Sequence, residues 1–205
     1  MSTKLLNCTQ CGTKLNLHFK HSKLIQCPSC RSTLFLEDES IVNFGETSIL
    51  SQETTLLQLH KEFNYKGWHF RPIGKIRYAY ELGFWEEWFV LDKEGQESWI
   101  SVDEGDFVIE KALELNVKEI IETMSKRVGQ TVKIQLQEYL ISEKEQGVTQ
   151  GFEGELARVI KPNTKLDYMH LTATKKNQHI TLEKENGNYS AYIGEWIDAY
   201  KIESL

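Results

Sequence analysis

The chain has 205 residues, 40% hydrophobic and 11% aromatic, enough apolar surface for one large domain or two small ones without disulfide help. A net charge of −6 argues against a general nucleic-acid or anionic-membrane binder, since both need a basic surface. No apolar run approaches the roughly 20 residues that cross a bilayer, and the start, MSTKLLNCTQ, lacks the apolar segment of a secretory signal, so a cytoplasmic protein without membrane insertion is expected.

Residues 1–37 are set apart by charge and by cysteine. Up to Leu36 there is no Asp or Glu, while Lys4, Lys14, Lys20, Lys23 and Arg31 make this head basic against an acidic body. All the cysteines lie here, as Cys8-Thr-Gln-Cys11 and Cys27-Pro-Ser-Cys30. Two residues between thiols let one tight turn aim both sulfurs at a single ion, and two such turns complete a tetrahedral sphere. The alternatives are two disulfides, which a reducing compartment disfavours, and a redox dithiol, which calls for one such pair at a helix start. The spacing therefore predicts one structural Zn²⁺ per chain in a zinc ribbon, closed to water and substrate. Leu15, Leu17 and Phe19 alternate with polar residues as a half-buried strand does, and Leu34 and Leu36 repeat the pattern. The basic head would allow a weak electrostatic contact with nucleic acid, but its sparse Lys and Arg argue against nucleic acid as the partner.

Residues 38–53, rich in acids and serines, are expected as a linker. Residues 54–110 are expected as a first β unit, opening with a strand at Thr54–His60. Ile76, Tyr78 and Tyr80 would share one face of the next strand, opposite Lys75 and Arg77. In Phe84–Leu91, Glu86 lies with Trp88 and Val90, and Glu87 with Trp85, Phe89 and Leu91. Ile100 and Val102 are expected inward, Trp99 and Ser101 outward. Residues 111–129 should form one bridging helix, with Asn116 and Glu119 as a capping box and Val117, Ile120, Ile121, Met124 and Val128 on its core face. Residues 130–205 are expected as a second β unit, with Val132, Ile134 and Leu136 alternating, turns at Pro162-Asn163, Lys176-Asn177 and Asn186-Gly187, and Ile180 and Leu182 inward.

The two units look related. Gly74–Gly105 aligns without a gap on Gly154–Glu185 at an offset of 80, pairing Ile76 with Leu156, Glu87 with Asp167, Trp88 with Tyr168, Leu91 with Leu171 and Ile100 with Ile180. The fold expected is mainly β: a ribbon followed by two related antiparallel units, as a small barrel or a sandwich, with one bridging helix.

Gly74-x-Ile76-x-Tyr78, Trp85-x-Glu87-Trp88, Leu91, Gly95, Trp99-Ile100 and Gly105-x-Phe107 resemble a bacterial family known as domain of unknown function 4178. Zinc ribbons often precede such domains. The resemblance implies no catalytic residue, and it implies at most an accessory role beside membrane-stress, channel-like or polyamine-related proteins.

Walker, dinucleotide, zincin and nucleophile-elbow motifs are all missing. Clustering of His170 with Glu183 would make a second metal or acid–base site. Glu87 and Asp167, flanked by aromatics, could bind a cationic small ligand or act as a general acid, but the scaffold reading, in which each accepts backbone N–H bonds at the same spot, is favoured. Trp88 and Trp99 are candidate interface anchors that the linker or helix could equally cover. The function expected is a non-enzymatic protein-binding or adaptor module; the alternatives are a small-ligand binder or enzyme using Glu87 or Asp167, and a nucleic-acid-associated protein.

Overall fold

The computed structural model describes residues 5–37, 40–47, 50, 54–81 and 83–205, with backbone alone at 5, 37 and 40–47. In the head, β1 (Leu5–Asn7) pairs with β2 (Lys14–Asn16), and β3 (Leu24–Gln26), β4 (Ser32–Glu37) and β5 (Ser40–Thr47) form an antiparallel set. Residues 40–47, expected as linker, are thus a strand on β4; residues 38, 39, 48, 49 and 51–53 of that linker lie outside the described residues.

The body follows as β6 (Phe63–Tyr65), β7 (Trp68–Ala79), β8 (Phe84–Asp92), β9 (Glu97–Asp103), β10 (Asp106–Ala112), α1 (Val117–Met124), β11 (Thr131–Ile134), β12 (Gln137–Leu156), β13 (Lys165–Ala173), β14 (His179–Glu185), β15 (Asn188–Ile197) and β16 (Ile202–Ser204). It is mainly β with one α-helix among the described residues, as the sequence predicts. Strands β7 to β10 form one antiparallel meander and β12 to β15 another. They meet twice: β10 pairs with β15, and β12 pairs with β7, so the strand order returns on itself as a ring. Two-residue turns at Glu104-Gly105 and Asn186-Gly187 have both central residues at positive φ, the hairpin geometry that matches strand twist.

The ring is apolar on its outside and mixed on its inside. Trp88, Val90, Ile100 and Phe107 pack on the outer face under β6, β16 and Leu57. Ile141, Met169, Leu171, Ile180 and Leu182 pack on the other outer face under Ile120 of α1 and Ile134 of β11. Inside, Trp85 and Phe89 of β8 meet Phe152, Leu166 and Tyr168 of the opposite meander, strands with which β8 makes no ladder.

Several local expectations change. Thr54–His60 pairs with no strand: Leu57 alone is fully buried, and His60, at φ 66, turns the chain while its N–H donates to Pro72 O. Asn116 caps α1 through the N–H of Lys118, but Val117, Ile121 and Val128 are exposed, because β11 covers much of the sheet face that the helix was expected to cover alone. Leu136 sits in the β11–β12 turn and is 89% exposed. Ile100 and Val102 face the outer core, while Trp99 points into the ring against Phe89.

The ungapped offset of 80 keeps faces for Ile100 with Ile180, yet Glu87 faces inward and its counterpart Asp167 outward. A slip of one residue between β8 and β13 reverses every side chain.

At the β7·β12 seam, Gly74 stands opposite Gly154. A Cβ on Gly74 would lie 1.9 Å from Glu155 O, and one on Gly154, at φ 74, 2.2 Å from Ile73 O. Gly74→Ala or Gly154→Ala is expected to cost about 1–3 kcal/mol by overpacking the seam, read as a lower urea midpoint; a midpoint unchanged from wild type would show that the seam yields freely.

Candidate functional site

The head contains two copies of one turn. Gly12 N–H donates to Cys8 O and Cys8 N–H to Thr13 O; Arg31 N–H donates to Cys27 O and Cys27 N–H to Ser32 O. Gly12 and Arg31 both take positive φ, 75° and 60°. Together the turns bring the sulfurs of Cys8, Cys11, Cys27 and Cys30 within 4.8 Å of one another, with no disulfide. The Sγ atoms of Cys8 and Cys30, and of Cys11 and Cys27, are 3.7 Å apart, while Zn–S bonds of about 2.3 Å at tetrahedral angles put sulfurs about 3.8 Å apart. The four sulfurs therefore fit a metal ion held by four thiolates. The hydroxyls of Thr13 and Ser32 lie 3.3 and 3.2 Å from Cys11 Sγ and Cys30 Sγ, and Ser32 helps bring the Cys30 thiol down to about 6.

The head is fastened to the body by several contacts, among them one buried carboxylate. Glu155, 1% exposed, accepts from the N–H groups of His18 at 2.9 and 3.1 Å and of Phe19 at 3.2 Å, and from the Ser22 hydroxyl at 2.8 Å; His18 Nδ1 lies 2.6 Å away. β3 pairs with β12 beside it, and Phe19 packs edge-on against Phe89 in the ring core.

Inside the ring, Glu87, Glu110 and Glu183 from both meanders surround one cavity with Trp85, Tyr168 and His170, leaving about 10 Å³ of free space. Arg158, on the loop between β12 and β13, reaches in. Its Nη2 is 2.7 Å from Glu87 Oε2 and 2.7 Å from the Tyr78 hydroxyl, its Nη1 is 3.3 Å from Glu183 Oε2, and its guanidinium carbon is 5.0 Å from the Trp99 ring centre. Burial, then Glu183, raises the Glu87 carboxyl, and Arg158 opposes them. Burial pushes Glu110 up to about 7, against the hydrogen bond donated by Thr181. His179 is buried, with Nδ1 unpartnered, and burial brings it down to about 3.

The expected site residues separate. Glu87 is in the ring, but it accepts from Arg158 and from Trp85 Nε1 at 3.4 Å, side chains where backbone N–H groups were expected. Asp167 is on the outside, 43% exposed, near Gln146 Nε2 at 2.7 Å and Lys184 Nζ at 3.7 Å, so the two carboxylates share no scaffold role. Trp88 is buried in the outer core with Lys75 5.1 Å from its ring centre, and Trp99 is in the ring, so they form no exposed pair. His170 and Glu183 line the same cavity, but His170 Nδ1 pairs with Glu143 at 3.1 Å, and among the described residues only the cysteines meet metal-ligand geometry. Arg158, Glu110 and Glu155 escaped the sequence reading. A lone arginine within Leu156-Ala157-Arg158-Val159-Ile160 was the available signal for the first.

These features define a ring-like β protein with a charged, filled interior and a four-cysteine head. Residues 58–199, more than half of the chain, match the family described as Domain of unknown function (DUF4178), and the chain belongs to it. The match spans Glu87, Arg158 and Glu183 and leaves out the cysteines. No curated protein and no solved structure matches the chain.

Two outcomes follow from the chemistry. Glu110 titrates higher folded than unfolded, so its stabilising share is complete below about 4.5 and fades as pH rises through about 7; His179 titrates lower folded, so its share is complete above 6.5 and fades as pH falls. Glu87, raised in the same direction, adds to the loss above about 4.5, so the urea midpoint should peak near pH 4.5–5 and fall above it, and Glu110→Gln should remove its own share of that alkaline limb, up to roughly 3 kcal/mol. An unchanged limb in that variant would assign the loss to other groups.

Proposed function

We propose that the chain is a non-enzymatic binding module in which a structural Zn²⁺ braces the head, the head braces the ring, and the ring's outer surface meets a protein partner. The observation that carries this reading is the filled interior: Glu87 and Glu183, from opposite meanders, are both held by Arg158, and the cavity of about 10 Å³ beside them admits no substrate. Zinc is the metal that suits four thiolates in a closed sphere, and thiols free of disulfides suit a reducing, cytoplasmic setting. A closed sphere of four thiolates leaves no position for substrate, which supports a structural role for the ion. With Trp88 buried and Trp99 turned into the ring, the surface best fitted to a partner is the open groove of about 570 Å³ beside α1, lined by Ile121, Met124, Lys144, Asp167, Lys184 and Tyr189. Its mix of apolar and paired charged groups is that of a transient interface. The family setting suggests an accessory place beside a membrane-stress or membrane-protein system.

A second reading, a small cationic ligand at Glu87, is favoured by one observation: Arg158 already shows that a cation fits between Glu87, Glu183 and the Trp99 ring.

Cross-linked recovery of the tagged chain from its native cells, repeated with Ile121→Glu/Asp167→Lys, tests the first reading. The expected result is one recurrent protein that the double variant loses while its urea midpoint stays within about 0.5 kcal/mol of wild type; equal recovery by both chains would sink the groove assignment. Elemental analysis should return one zinc per chain, and removal by a chelator should lower the thermal midpoint of the whole chain, because Glu155 links head and ring. A metal-free chain with wild-type stability would end the bracing role.

A further inference from the structure

We infer that Arg158 is a tethered occupant of a cation site and that a soluble ligand bearing a primary ammonium or a terminal guanidinium takes its place between Glu87, Glu183, Tyr78 and Trp99. The inference rests on the second reading above, and the partner-recovery experiment does not bear on it.

Three features of the site carry it. The first is access. Glu87 and Glu183 are 8% and 4% exposed, whereas the Arg158 side chain covering them is 23% exposed, so the path from solvent to the carboxylates runs over the arginine. The second is fit. Arg158 uses its two terminal nitrogens on the carboxylates and the phenol, but its Nε is buried with no hydrogen-bond partner. A buried donor left unmade is a penalty that a structural arginine normally avoids. A primary ammonium offers its N–H donors to the same acceptors without that stranded N–H, whereas a monoalkylguanidinium keeps it and gains only the freedom to reorient that the tether denies Arg158. The third is charge. Glu87, Glu110, Glu183 and Glu185 share this part of the ring with the single guanidinium, and Glu185 Oε1 is itself buried and unpartnered. Exchange of one cation for another leaves the buried charge unaltered, while the displaced guanidinium returns to water beside Val159, which is 39% exposed.

The backbone permits the exchange. Arg158 follows the last ladder pair of β12, Leu156 with Leu24, and β13 begins only at Lys165. Ile160 is 2% exposed in the ring core and Asn163 N–H donates to Thr149 O, so the far half of the loop is anchored and only residues 157–159 need to move. Trp99 stays behind as the aromatic wall of the site, a face that attracts alkylammonium and guanidinium ions alike.

The test titrates the full, metal-loaded chain with n-butylammonium chloride and, separately, methylguanidinium chloride, against sodium chloride and sodium butyrate at matched ionic strength. Tryptophan emission reports the cation beside Trp99, and hydrogen exchange reports residues 157–159. Saturable emission changes with the two organic cations alone, accompanied by faster exchange at 157–159, are expected. Arg158→Ala should bind both probes about tenfold more tightly or better, because the tethered competitor no longer holds the site closed, and Glu183→Gln should weaken binding to Arg158→Ala. If Arg158→Ala does not fold, Arg158→Gln, which keeps much of the side-chain length and removes the charge, should move affinity in the same direction. Absence of saturable binding in wild type and variant, or equal affinity in both, overturns the proposal and leaves Arg158 a structural ion-pair partner.

Discussion

A single strand constrains every other part of the molecule. β12 runs for 20 residues, roughly 65 Å if fully extended, and serves different neighbours along its length: β11 and β13 at its start, β7 in its middle, β3 at its end. No straight strand could do this. The register shifts at Ile141/Glu143 and Thr149/Gly151 bend it, and Gly147 lets the Trp85 ring lie where a Cβ would come within 2.1 Å. By the time β12 reaches Glu155 it has left the second meander, closed the seam with β7, and arrived at the head. The donors gathered on Glu155 from His18, Phe19 and Ser22 cross more than 130 residues of sequence. Burying a carboxylate is costly unless its lone pairs are filled, and here the head fills them. The head that carries the four sulfurs and the body are thus joined through residues 18–22 at this carboxylate.

The ring buries apolar clusters on both of its faces, and charge is buried among them. Its outer clusters are covered by β6 and β16 on one side and by α1 and β11 on the other, while Trp85, Phe89, Phe152, Leu166 and Tyr168 pack within. Together these clusters supply the hydrophobic stabilisation that makes the buried charge of the interior tolerable. A related device operates on the outer face of β7 and β8, where Glu86 Oε1 accepts from Lys75 Nζ at 3.0 Å and from Arg77 Nη2 at 2.7 Å, all three side chains buried. Such groups add little net stability compared with apolar replacements, but removing one partner strands the others. They hold β7 and β8 in one register.

Local chemistry was legible in the chain; long-range pairing was not. The cysteine spacing predicts the sulfur cluster because two short turns suffice to build it, and the turn residues at Asn186-Gly187 and Pro162-Asn163 act within a few bonds. The faces of β8 follow from alternation alone: Glu86 lies with Trp88, and Glu87 with Trp85 and Phe89. Which face is the interior did not follow, because a strand apolar on both sides carries no sign of direction. That is why Trp99 was expected outward and Ile100 inward. Thr54–His60 shows the other limit. Its burial alternates as a strand's would, yet no neighbour offers it a ladder, and alternation reports a half-buried extended segment whether or not it is hydrogen-bonded.

The aligned carboxylates carry this point to the site itself. An ungapped alignment assumes that two segments keep one register, but β8 joins β7 through a short turn whereas β13 joins β12 after an eight-residue loop, residues 157–164. That loop shifts β13 relative to its counterpart, and a shift of one residue is enough to expel Asp167 from the ring while Glu87 stays within. The same loop delivers Arg158, the cation that Glu87 meets. The loop that sets β13 out of register with the offset of 80 is therefore also the one that builds the charged site: without a guanidinium between them, Glu87 and Glu183 would be two buried carboxylates that low-dielectric surroundings would force to protonate.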